Sequence, residues 1–434
     1  MSGHREFVLR TAEERGVKFI RLWFVDVLGL LKSFSIPVSE LESALDEGVG
    51  LDGSSLEGAS RLREHDVIAY PDPRSFQLLP WRPGSIVGRM FCDVRQPDGD
   101  PFGGDSRLVL RRVLDQAAAL GYTMQVGCEL EFFLFETLGS NGAEPVTLDD
   151  GAYFDLTPQD VGSDFRRRTI DYLEQMGIPV KASHHEVAPS QHEIQLAHTD
   201  ALSMADAVMT FRVAVKEAAH ELGAYATFMP KPLASHPGSG LHLHISLFEG
   251  DRNAFHAPDA EQPLSPAGRS FLAGVLAHAC ELTAATNQWI NSYRRLATGF
   301  EAPGTVSWTR RGAAALVRVP SRRPGRASGT RFELRSPDPA CNPYLALALI
   351  LAAGLRGVER GYELQAESLD DAAEGARLPL DLREATDLFD ASELVRETLG
   401  DRLCDVFVAN KRRELDDERR TVTEFDRSRY LRLL

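Results

Sequence analysis

Two glutamates stand two residues apart in an apolar segment of the sequence, the run VGCELEFFLF (126–135). Side chains alternate between the two faces of a β-strand, so Glu129 and Glu131 would share one face, roughly 6.5–7 Å apart. The apolar residues between and beside them would occupy the other face. Because two carboxylates held side by side repel each other unless cations lie between them, the pair indicates a cation-binding surface.

Three further segments repeat this alternation with other chemical groups. The segments are GLHLHISLF (240–248), TRFELRS (330–336) and HHEVAPSQHEIQL (184–196), and the residues of interest on them are His242, His244, Ser246, Arg331, Glu333, Arg335, Glu186, Glu193 and Gln195. A single strand of this kind is typical of an edge strand with its polar face in water. Four strands that all select groups able to bind a metal or a phosphate instead favour a shared cavity.

The donor set of this predicted cavity defines its chemistry. Five carboxylates and one well-placed imidazole are hard ligands, which suit Mg²⁺ or Mn²⁺ better than zinc or copper. Arginines on the same face indicate a substrate that carries phosphate or carboxylate groups, with the metals bridging between them. The sequence has neither a G-x-x-x-x-G-K-[ST] loop nor a G-x-G-x-x-G run after a strand, so metals and arginines must hold the phosphates if ATP binds. A G-x-S-x-G run is also absent, which leaves hydrolase triad chemistry without support.

Strands and helices alternate beyond residue 105 and would position these polar faces. Apolar runs predict strands near 124–135, 178–183, 192–197, 241–248, 314–319 and 331–335. Apolar periodicity and glycine stops predict helices over 165–176, 200–222, 266–286, 342–360 and 401–416. The acidic segment 365–390 is predicted to be solvated surface.

The first hundred residues are predicted to be rich in strands. Residues 17–27 and 30–36 flank Gly29 and predict a hairpin. The Pro/Gly/Asp-rich stretch 96–105 then predicts a domain boundary, followed by a helix that Asp105 or Ser106 caps.

Composition excludes several classes of protein. The 434 residues include 48 Lys and Arg against 63 Asp and Glu, a formal net charge of −15, which disfavours nucleic acid and anionic membranes as partners. The five cysteines are scattered and never form a C-x-x-C pair, so we expect a reducing cytoplasm rather than a disulfide framework or a thiolate zinc site. The longest apolar stretch, residues 344–355, is too short to span a bilayer of about 30 Å.

Several motifs, in order along nearly the whole chain, resemble the glutamine synthetase family of the bacterial class I type. They are DGSS (52–55), ELEF (129–132), GAYFD (151–155), SHHEVAPSQHEI (183–194), FMPKP (228–232), PGSGLHLHISLF (237–248), NSYRRL (291–296), FEAPG (300–304) and RFELRSPDPACNPYL (331–345). The N-terminal segment is most similar to actinobacterial paralogues, some of which join glutamate to polyamines rather than to ammonia.

This resemblance implies an α+β fold of two domains. Residues 1–103 would form a small N-terminal β-grasp domain. Residues 104–434 would form a large catalytic domain, in which a curved antiparallel sheet lines the active site and helices surround it. The resemblance further implies a dodecamer of two stacked hexameric rings, with active sites between neighbouring subunits.

The resemblance also implies a role for each matching residue. Two or more Mg²⁺ or Mn²⁺ ions would be held by two sets of ligands, the first Glu131, Glu186 and Glu193, the second Glu129, His242 and Glu333. The substrate-binding residues would be Ser55, Tyr153, Gly238, Arg295 and Arg335. The residues on the ATP side would be His244, Ser246, Arg318 and Arg331, of which Arg318 would also serve catalysis.

The implied reaction joins glutamate to ammonia or an amine at the expense of ATP. The γ-carboxylate of glutamate attacks the γ-phosphoryl group, and the amine then displaces phosphate from γ-glutamyl phosphate. Asp52 of the adjacent subunit and the flap residue Glu301 would deprotonate the attacking ammonium or amine. Metals and arginines would neutralise the charge on the transferring group.

Three positions depart from the family pattern. Ala313 stands where an arginine is expected to meet the transferred phosphate, and one such contact is worth about 2–4 kcal/mol of transition-state stabilisation. Arg310 or Arg311 is a candidate substitute. Lys181 replaces a glutamate on the nucleotide side, and Pro237 replaces an asparagine that helps to hold substrate. All six metal-ligand candidates are retained, which argues for an altered acceptor or altered kinetics.

Three functions remain open at this point. Ala313 and Pro237 favour a ligase that uses an organic amine. Synthesis of glutamine from ammonia is favoured by the residue types retained around an ammonium ion, which are Asp52, Ser55, Tyr153, Glu186 and Glu301. A structural or regulatory family member with weakened catalysis is the third, motivated by Ala313. A metal-storage protein is disfavoured because the arginines would have no role in it.

Overall fold

The protein is described by a computed structural model that covers residues 2–58, 64–81, 84–139, 144–156, 161–257, 264–297, 302–312, 314–321, 327–368 and 375–434. The helices in these ranges are α1 (Ser2–Glu14), α2 (Leu41–Glu47), α3 (Ser106–Ala119), α4 (Val161–Gln175), α5 (Ala201–Glu221), α6 (Pro266–Thr286), α7 (Ile290–Leu296), α8 (Pro343–Arg360), α9 (Leu382–Ala391), α10 (Glu393–Leu399), α11 (Asp401–Arg420) and α12 (Glu424–Tyr430). The strands are β1 (Phe19–Val25), β2 (Leu31–Pro37), β3 (Val49–Asp52), β4 (Asp66–Pro71), β5 (Gln77–Leu78), β6 (Val87–Arg95), β7 (Thr123–Thr137), β8 (Val146–Thr147), β9 (Val180–His185), β10 (Gln191–Asp200), β11 (Tyr225–Thr227), β12 (Leu241–Glu249), β13 (Arg252–Asn253), β14 (Trp308–Thr309), β15 (Val317–Arg318) and β16 (Phe332–Leu334).

The N-terminal strands form one mixed sheet. Its order is β2-β1-β6-β4-β3, with β5 paired to β6, and the predicted hairpin is confirmed as the antiparallel pair β1 and β2. Strand β1 runs parallel to β6, and α1 and α2 lie against this sheet through buried residues such as Val8 and Leu41. Gly29, at φ +73°, makes the hairpin turn, and a Cβ there would lie 2.8 Å from Cα of Asn342. The turn therefore needs glycine both for its conformation and for its close approach to the rest of the chain.

A second, larger sheet carries the polar faces singled out in the sequence. Its order is β14-β15-β16-β12-β7-β10-β9, with β8 and β11 paired to β7 and β13 paired to β12. The pairs that join β15, β16, β12, β7, β10 and β9 are all antiparallel. The 15-residue strand β7 lies near the middle, so the residues of its neighbours converge on Glu129 and Glu131.

Helices cover the apolar face of this sheet and form the main core. Helix α8 is buried over most of its length because its residues from Tyr344 to Leu351 are small or apolar. It crosses α6 at a pair of glycines, Gly274 and Gly357. A Cβ on Gly274 would lie 2.2 Å from the carbonyl oxygen of Ala353, and a Cβ on Gly357 would lie 2.1 Å from that of Ser270. The two helices can approach this closely only without side chains at those positions.

A buried ion-pair network joins the N-terminal sheet to helices α3, α5 and α8. Arg107, in the first turn of α3, pairs with Asp206 of α5 (2.8 Å), with Asp72 (3.0 Å) and with Asp93 of β6. The hydroxyl of Tyr344 donates to the same Asp206 at 2.6 Å. One guanidinium thus connects carboxylates from both parts of the chain, and the surrounding hydrogen bonds satisfy its charge.

Most of the predicted elements are present. The five predicted long helices correspond to α4, α5, α6, α8 and α11, and the predicted capped helix to α3 with Asp105 as its N-cap. Only the two-residue β15 forms within 314–319. The prediction of a solvated segment over 365–390 is wrong for its second half, where α9 buries Leu382 and Phe389. Among the described residues, no helix combines the length and the apolar character needed to cross a membrane.

Candidate active site

Three cross-strand rows bring the predicted residues onto one face of the large sheet. In the first row, Glu129 lies between His242 of β12 and Gln195 of β10. In the second row, Glu193 lies between Glu131 of β7 and His184 of β9. Directly opposed residues of an antiparallel pair have Cβ atoms about 4.5–5.5 Å apart, so each row forms a set of contacting side chains.

The third row adds the groups suited to phosphate. His244 of β12 opposes Gly127 of β7 on one side and Glu333 of β16 on the other, and Arg318 of β15 opposes Glu333. The ring of His198 occupies the space that a side chain at Gly127 would fill. The row therefore sets a basic edge beside the carboxylates.

Three overlapping groups of ligand atoms are close enough to hold metal ions. Within each group, one ligand atom per residue lies within 4.8 Å of the others, and the groups are Glu129, His242 and Glu333; Glu131, Glu193 and His242; and His184, Glu186 and Glu193. The second predicted ligand set is thus brought together as a unit. Glu193 of the first predicted set groups with Glu131 on one side and with Glu186 on the other.

His242 and His184 link these carboxylates. Nδ1 of His242 lies 3.3 Å from Glu129 Oε2 and 3.7 Å from Glu333 Oε1, while its Nε2 lies 3.8 Å from Glu131 Oε1. Nε2 of His184 lies 2.8 Å from Glu186 Oε1. The donor set is one of carboxylate oxygens with imidazole, which fits Mg²⁺ or Mn²⁺.

Burial and mutual repulsion raise the pKa values of two of the carboxylates, Glu193 and Glu131. Burial, together with the charges of Glu129 and Glu131, raises the pKa of Glu193 to about 9. Burial also raises the pKa of Glu131, and Glu186 adds to that effect. Crowded carboxylates that would otherwise hold protons are the expected state of a metal site without its cations, so the residues present fit divalent ions.

Glu129 and Glu333 behave differently because imidazole and guanidinium groups contact them. Burial alone would raise the pKa of Glu129, but hydrogen bonds with His242 and His244 outweigh it and lower the pKa. Glu333 is fully buried, and Arg318 Nε donates to it at 2.7 Å while Arg335 Nη1 donates at 2.5 Å. Burial again opposes these charges, and the balance lowers the pKa of Glu333.

Arg295 and the glycine loop before β12 pack together beside the carboxylates. Arg295 is buried, and its guanidinium donates to the carbonyl oxygens of Ser336 (2.7 Å) and Arg335 (3.0 Å). A Cβ on Gly238 would lie 2.2 Å from the carbonyl oxygen of Pro230, and one on Gly240 would lie 2.8 Å from Arg295 Nη2. The loop must therefore lack side chains to bring Arg295 next to His242.

The residues predicted on the nucleotide side also lie near one another. Arg331 Nε donates to His244 Nδ1 at 3.1 Å, and His244 Nε2 lies 2.8 Å from Glu129 Oε1. Ser246 is buried on the same strand, two residues beyond His244. Burial lowers the pKa of Arg331.

Sequence reasoning missed His198. Its ring lies 6.2 Å from that of His244, and a Cβ on Gly127 would lie 2.8 Å from it. Burial, with the charges of His244 and Arg331, lowers the pKa of His198 to about 4. Strict alternation from Glu193 and Gln195 would place Ala197 on this face, but an irregularity between Leu196 and Thr199 shifts the pattern by one and brings His198 there instead.

Gln191 was also missed, because it lies at the start of β10 where the alternation has just begun. Its Nε2 donates to Glu131 Oε2 at 3.1 Å and to the carbonyl oxygen of Gly238 at 3.1 Å. This buried amide therefore ties a predicted ligand to the glycine loop.

The remaining predicted residues lie elsewhere or outside the described ranges. Tyr153 is 53% exposed at the edge of the site, with its ring 5.5 Å from that of His184. Asp52 ends β3 of the N-terminal sheet, and Ser55 lies in the short 3-10 turn after it, where its Oγ donates to the carbonyl oxygen of Asp52; neither residue is part of the three rows. Glu301 and Ala313 lie outside the described residues.

The two candidate substitutes for the missing arginine lie at the protein surface. Arg310 Nε donates to Glu367 at 2.8 Å, and both Arg310 and Arg311 are exposed. Within the described residues, Arg310 is thus engaged by Glu367 rather than by the carboxylate rows.

Carboxylates and arginines meet on one face of the large sheet. This set of side chains is typical of a metal-dependent site for phosphate chemistry. Comparison with known proteins gives the family. Residues 103–430 match the glutamine synthetase catalytic domain, and residues 16–97 match the glutamine synthetase beta-grasp domain. The chain belongs to the glutamine synthetase family of ligases, with an N-terminal β-grasp domain and a catalytic domain of a curved sheet and helices. Members of this family use ATP and divalent metal ions.

Named relatives extend over the full chain. The glutamine synthetase of Mycobacterium tuberculosis (strain ATCC 25618 / H37Rv) is 52% identical and covers 100% of both chains. That of Methanosarcina mazei is 45% identical and covers 99% of this chain and 98% of its own. Among solved structures, ligand-free GmaS is 33% identical with a TM-score of 0.87, covering 98% of this chain and 99% of that one. The Plasmodium falciparum glutamine synthetase, at 23% identity and a TM-score of 0.90 over 99% of this chain and 98% of that one, shares the fold.

Proposed function

We propose that the protein is an ATP-dependent ligase that joins glutamate to an amine through γ-glutamyl phosphate, with an organic amine as the acceptor. The observation that carries the proposal is the set of three cross-strand rows, which place four carboxylates and three histidines beside Arg318, Arg331 and Arg335, with Glu186 in the turn next to them. Such a face suits the binding of an anionic nucleotide to an acidic protein. Ala313 and Pro237 support an acceptor other than ammonia.

Each group of the site has a place in this reaction. The two predicted ligand sets would hold two or more Mg²⁺ or Mn²⁺ ions, which when bound neutralise charge on the phosphates. Arg318 and Arg331 would neutralise the phosphoryl group during transfer, and Arg335 would hold the glutamate. A γ-carboxylate oxygen attacks the γ-phosphorus and forms the O–P bond of an acyl phosphate, while the bond from that phosphorus to the β,γ-bridging oxygen breaks and ADP leaves. The amine nitrogen then attacks the acyl carbon, and phosphate leaves.

We further propose that the site is completed by a second copy of the chain, within a dodecamer of two hexameric rings. Asp52, at the end of β3, and Ser55, in the turn after it, lie outside the rows of their own chain, which supports their donation to a neighbouring subunit. Asp52 and Glu301 would then deprotonate the acceptor. We also propose a domain boundary near residue 103. The five unpaired cysteines support a location in the cytoplasm.

Ammonia is the second candidate acceptor. The 52% identity to proteins named glutamine synthetase supports it, against 33% to GmaS, a gamma-glutamylmethylamide synthetase. Tyr153 and Glu186, which match residue types expected around an ammonium ion, both lie next to His184.

The test is an acceptor panel. The purified protein, with ATP, glutamate and Mg²⁺ or Mn²⁺, is offered ammonium, methylamine, ethanolamine, putrescine and spermidine, and phosphate release and the mass of the product are measured. We expect at least tenfold higher kcat/KM with one organic amine than with ammonium. A preference for ammonium supports the second candidate, and no release with any acceptor rejects both enzyme assignments in favour of a structural or regulatory family member.

A further inference from the structure

A buried histidine–aspartate pair lies directly behind the carboxylates of the candidate metal site. Nε2 of His185 lies 2.8 Å from Asp149 Oδ1, and its Nδ1 lies 2.7 Å from the carbonyl oxygen of Glu186. His185 is 3% exposed. The imidazole thus bridges a carboxylate in one loop and the backbone of a predicted metal ligand.

The hydrogen-bond partners fix where the protons lie. A carbonyl oxygen only accepts, so Nδ1 of His185 donates to Glu186. Asp149 Oδ1 also accepts from the N–H groups of Ser190 (2.9 Å) and Gly151 (3.0 Å), as an ionised carboxylate does. The imidazole is therefore held at both of its ring nitrogens, one by the backbone of Glu186 and the other by Asp149.

This pair does not have the arrangement of a metal site of its own, although Asp149, His185 and His192 offer ligand atoms within 4.8 Å of one another. Arg166 Nη1 donates to Nδ1 of His192 at 2.8 Å, so the proton of a neutral His192 lies on Nε2, which faces Asp149. That nitrogen has no lone pair for a cation. The guanidinium close by also opposes a second positive charge.

The pair instead holds the turn that connects β9 to β10, which carries Glu186 and leads into the strand that carries Glu193. Ser190 lies in the turn, fully buried at φ +58°, a conformation that costs free energy outside glycine. Its N–H donates to Asp149, and its Oγ accepts from the N–H groups of Leu148 (2.6 Å) and Asp149 (3.0 Å). The N–H of Glu186 donates to the carbonyl oxygen of Gln191 at 2.7 Å, so both backbone polar groups of Glu186 are fixed.

We propose that Asp149 is a positioning residue for the metal-binding carboxylates, acting through His185 on the backbone of Glu186 and through Ser190 on the turn that leads to Glu193. The inference rests on the metal-binding part of the proposed function and not on the identity of the acceptor. Gly151 is part of the same arrangement, because a Cβ there would lie 2.5 Å from Nε2 of His185. The imidazole can occupy its place only against a glycine.

The test is the substitution Asp149→Asn, with Mn²⁺ binding measured by calorimetry on the full-length protein. We expect Mn²⁺ affinity to fall roughly 10- to 100-fold, the usual cost of removing a partner that orients a ligand. The melting temperature of the metal-free protein should change little, and kcat at saturating Mn²⁺ should remain within about threefold of the unsubstituted protein while the Mn²⁺ concentration for half-activity rises.

A matched control is Glu281→Gln. Glu281 Oε2 lies 3.1 Å from Nδ1 of His278 on α6. The substitution therefore removes a histidine–carboxylate pair of similar kind that has no link to the metal-binding carboxylates. If Asp149→Asn does not fold, Gly151→Ala displaces the imidazole without removing a charge and should weaken Mn²⁺ binding in the same direction.

Two results would overturn the proposal: Mn²⁺ affinity within twofold of the unsubstituted protein in the folded variant, or an equal loss in Glu281→Gln. Failure of the proposed function is distinguishable, because a chain that binds Mn²⁺ but turns over no acceptor still gives the calorimetric comparison.

Discussion

At the scale of single residues, the candidate site is governed by the repulsion among its carboxylates. Glu193 lies between Glu131 on the neighbouring strand and Glu186 in the adjacent turn, and it is almost fully buried. Each of its neighbours favours the protonated form of its carboxyl group. A cation that binds here must therefore displace a proton.

This proton gives a pH dependence with a definite sign. The pKa of Glu193 is raised to about 9 in the metal-free protein, so the folded chain binds a proton that the unfolded chain, with an ordinary carboxyl near 4.5, has lost. The stability of the metal-free protein should then fall as pH rises from about 5 to 9. Mn²⁺ affinity should rise over the same range.

Calorimetry at pH 7 in two buffers of different ionisation enthalpy should report release of about one proton as the Mn²⁺ site fills. Glu193→Gln should bind Mn²⁺ far more weakly, and its metal-free form should gain stability relative to the parent as pH rises toward 9. Metal binding without proton release at pH 7 would contradict the assignment of a shared, protonated Glu193.

What the sequence predicts at this scale depends on whether a residue lies on a regular strand. The period of two placed Glu129, Glu131 and His242 on one face because their strands are uninterrupted. His198 escaped because an irregularity in β10 shifts the alternation before it is reached. Asp149 escaped because it lies in a loop, and only the tertiary fold brings it to His185.

At the scale of elements, the close crossing of α6 and α8 is the feature that sequence patterns cannot reveal. Both helices are apolar over most of their surfaces, so their periodicity predicts helices without saying which faces meet. The glycines at the crossing lower helix propensity, and only the packing explains them. Helices α1 and α2 were likewise not predicted, because the first hundred residues were interpreted as rich in strands.

Gly274→Ala should destabilise the protein. Alanine improves helix propensity by about 1 kcal/mol, but its Cβ would lie 2.2 Å from a backbone oxygen of α8 that cannot yield without moving the helix. We expect a net loss of about 1–3 kcal/mol in the free energy of unfolding, measured with urea. Gly3→Ala on α1 is the control, since nothing lies within 4 Å of a Cβ there, and it should be neutral or slightly stabilising. Equal effects of the two substitutions would contradict this account.

At the scale of the whole molecule, the two sheets supply different parts of the proposed site. The large sheet holds the carboxylate rows, while Asp52 lies in the N-terminal sheet, apart from them. Sequence motifs imply that both Asp52 and the carboxylate rows belong to the site. They do not show that the two lie apart within a single chain. That separation is a matter of tertiary structure.

Mixing two inactive variants tests whether subunits share sites. Asp52→Asn and Glu333→Gln should each lose most activity alone, since one removes the proposed base and the other a buried ligand candidate. Co-assembled in equal amounts, they should recover roughly a quarter of the parental activity, because some sites then pair an intact Asp52 with an intact Glu333 across an interface. Recovery should be absent when the preassembled variants are mixed without dissociation. No recovery on co-assembly would show that each chain builds its site alone.

The network around Arg107 has a consequence for the order in which the chain is made. Asp72 and Asp93 are synthesised before their shared cation, and Asp206 and Tyr344, which complete the network, follow later. At about 5–20 residues per second, Tyr344 leaves the ribosome roughly 10–50 seconds after Asp93. Until α5 emerges, the nascent N-terminal sheet ends at an Arg107 that already has Asp72 and Asp93 as partners but still lacks Asp206, so the catalytic part of the chain must arrive to complete the network.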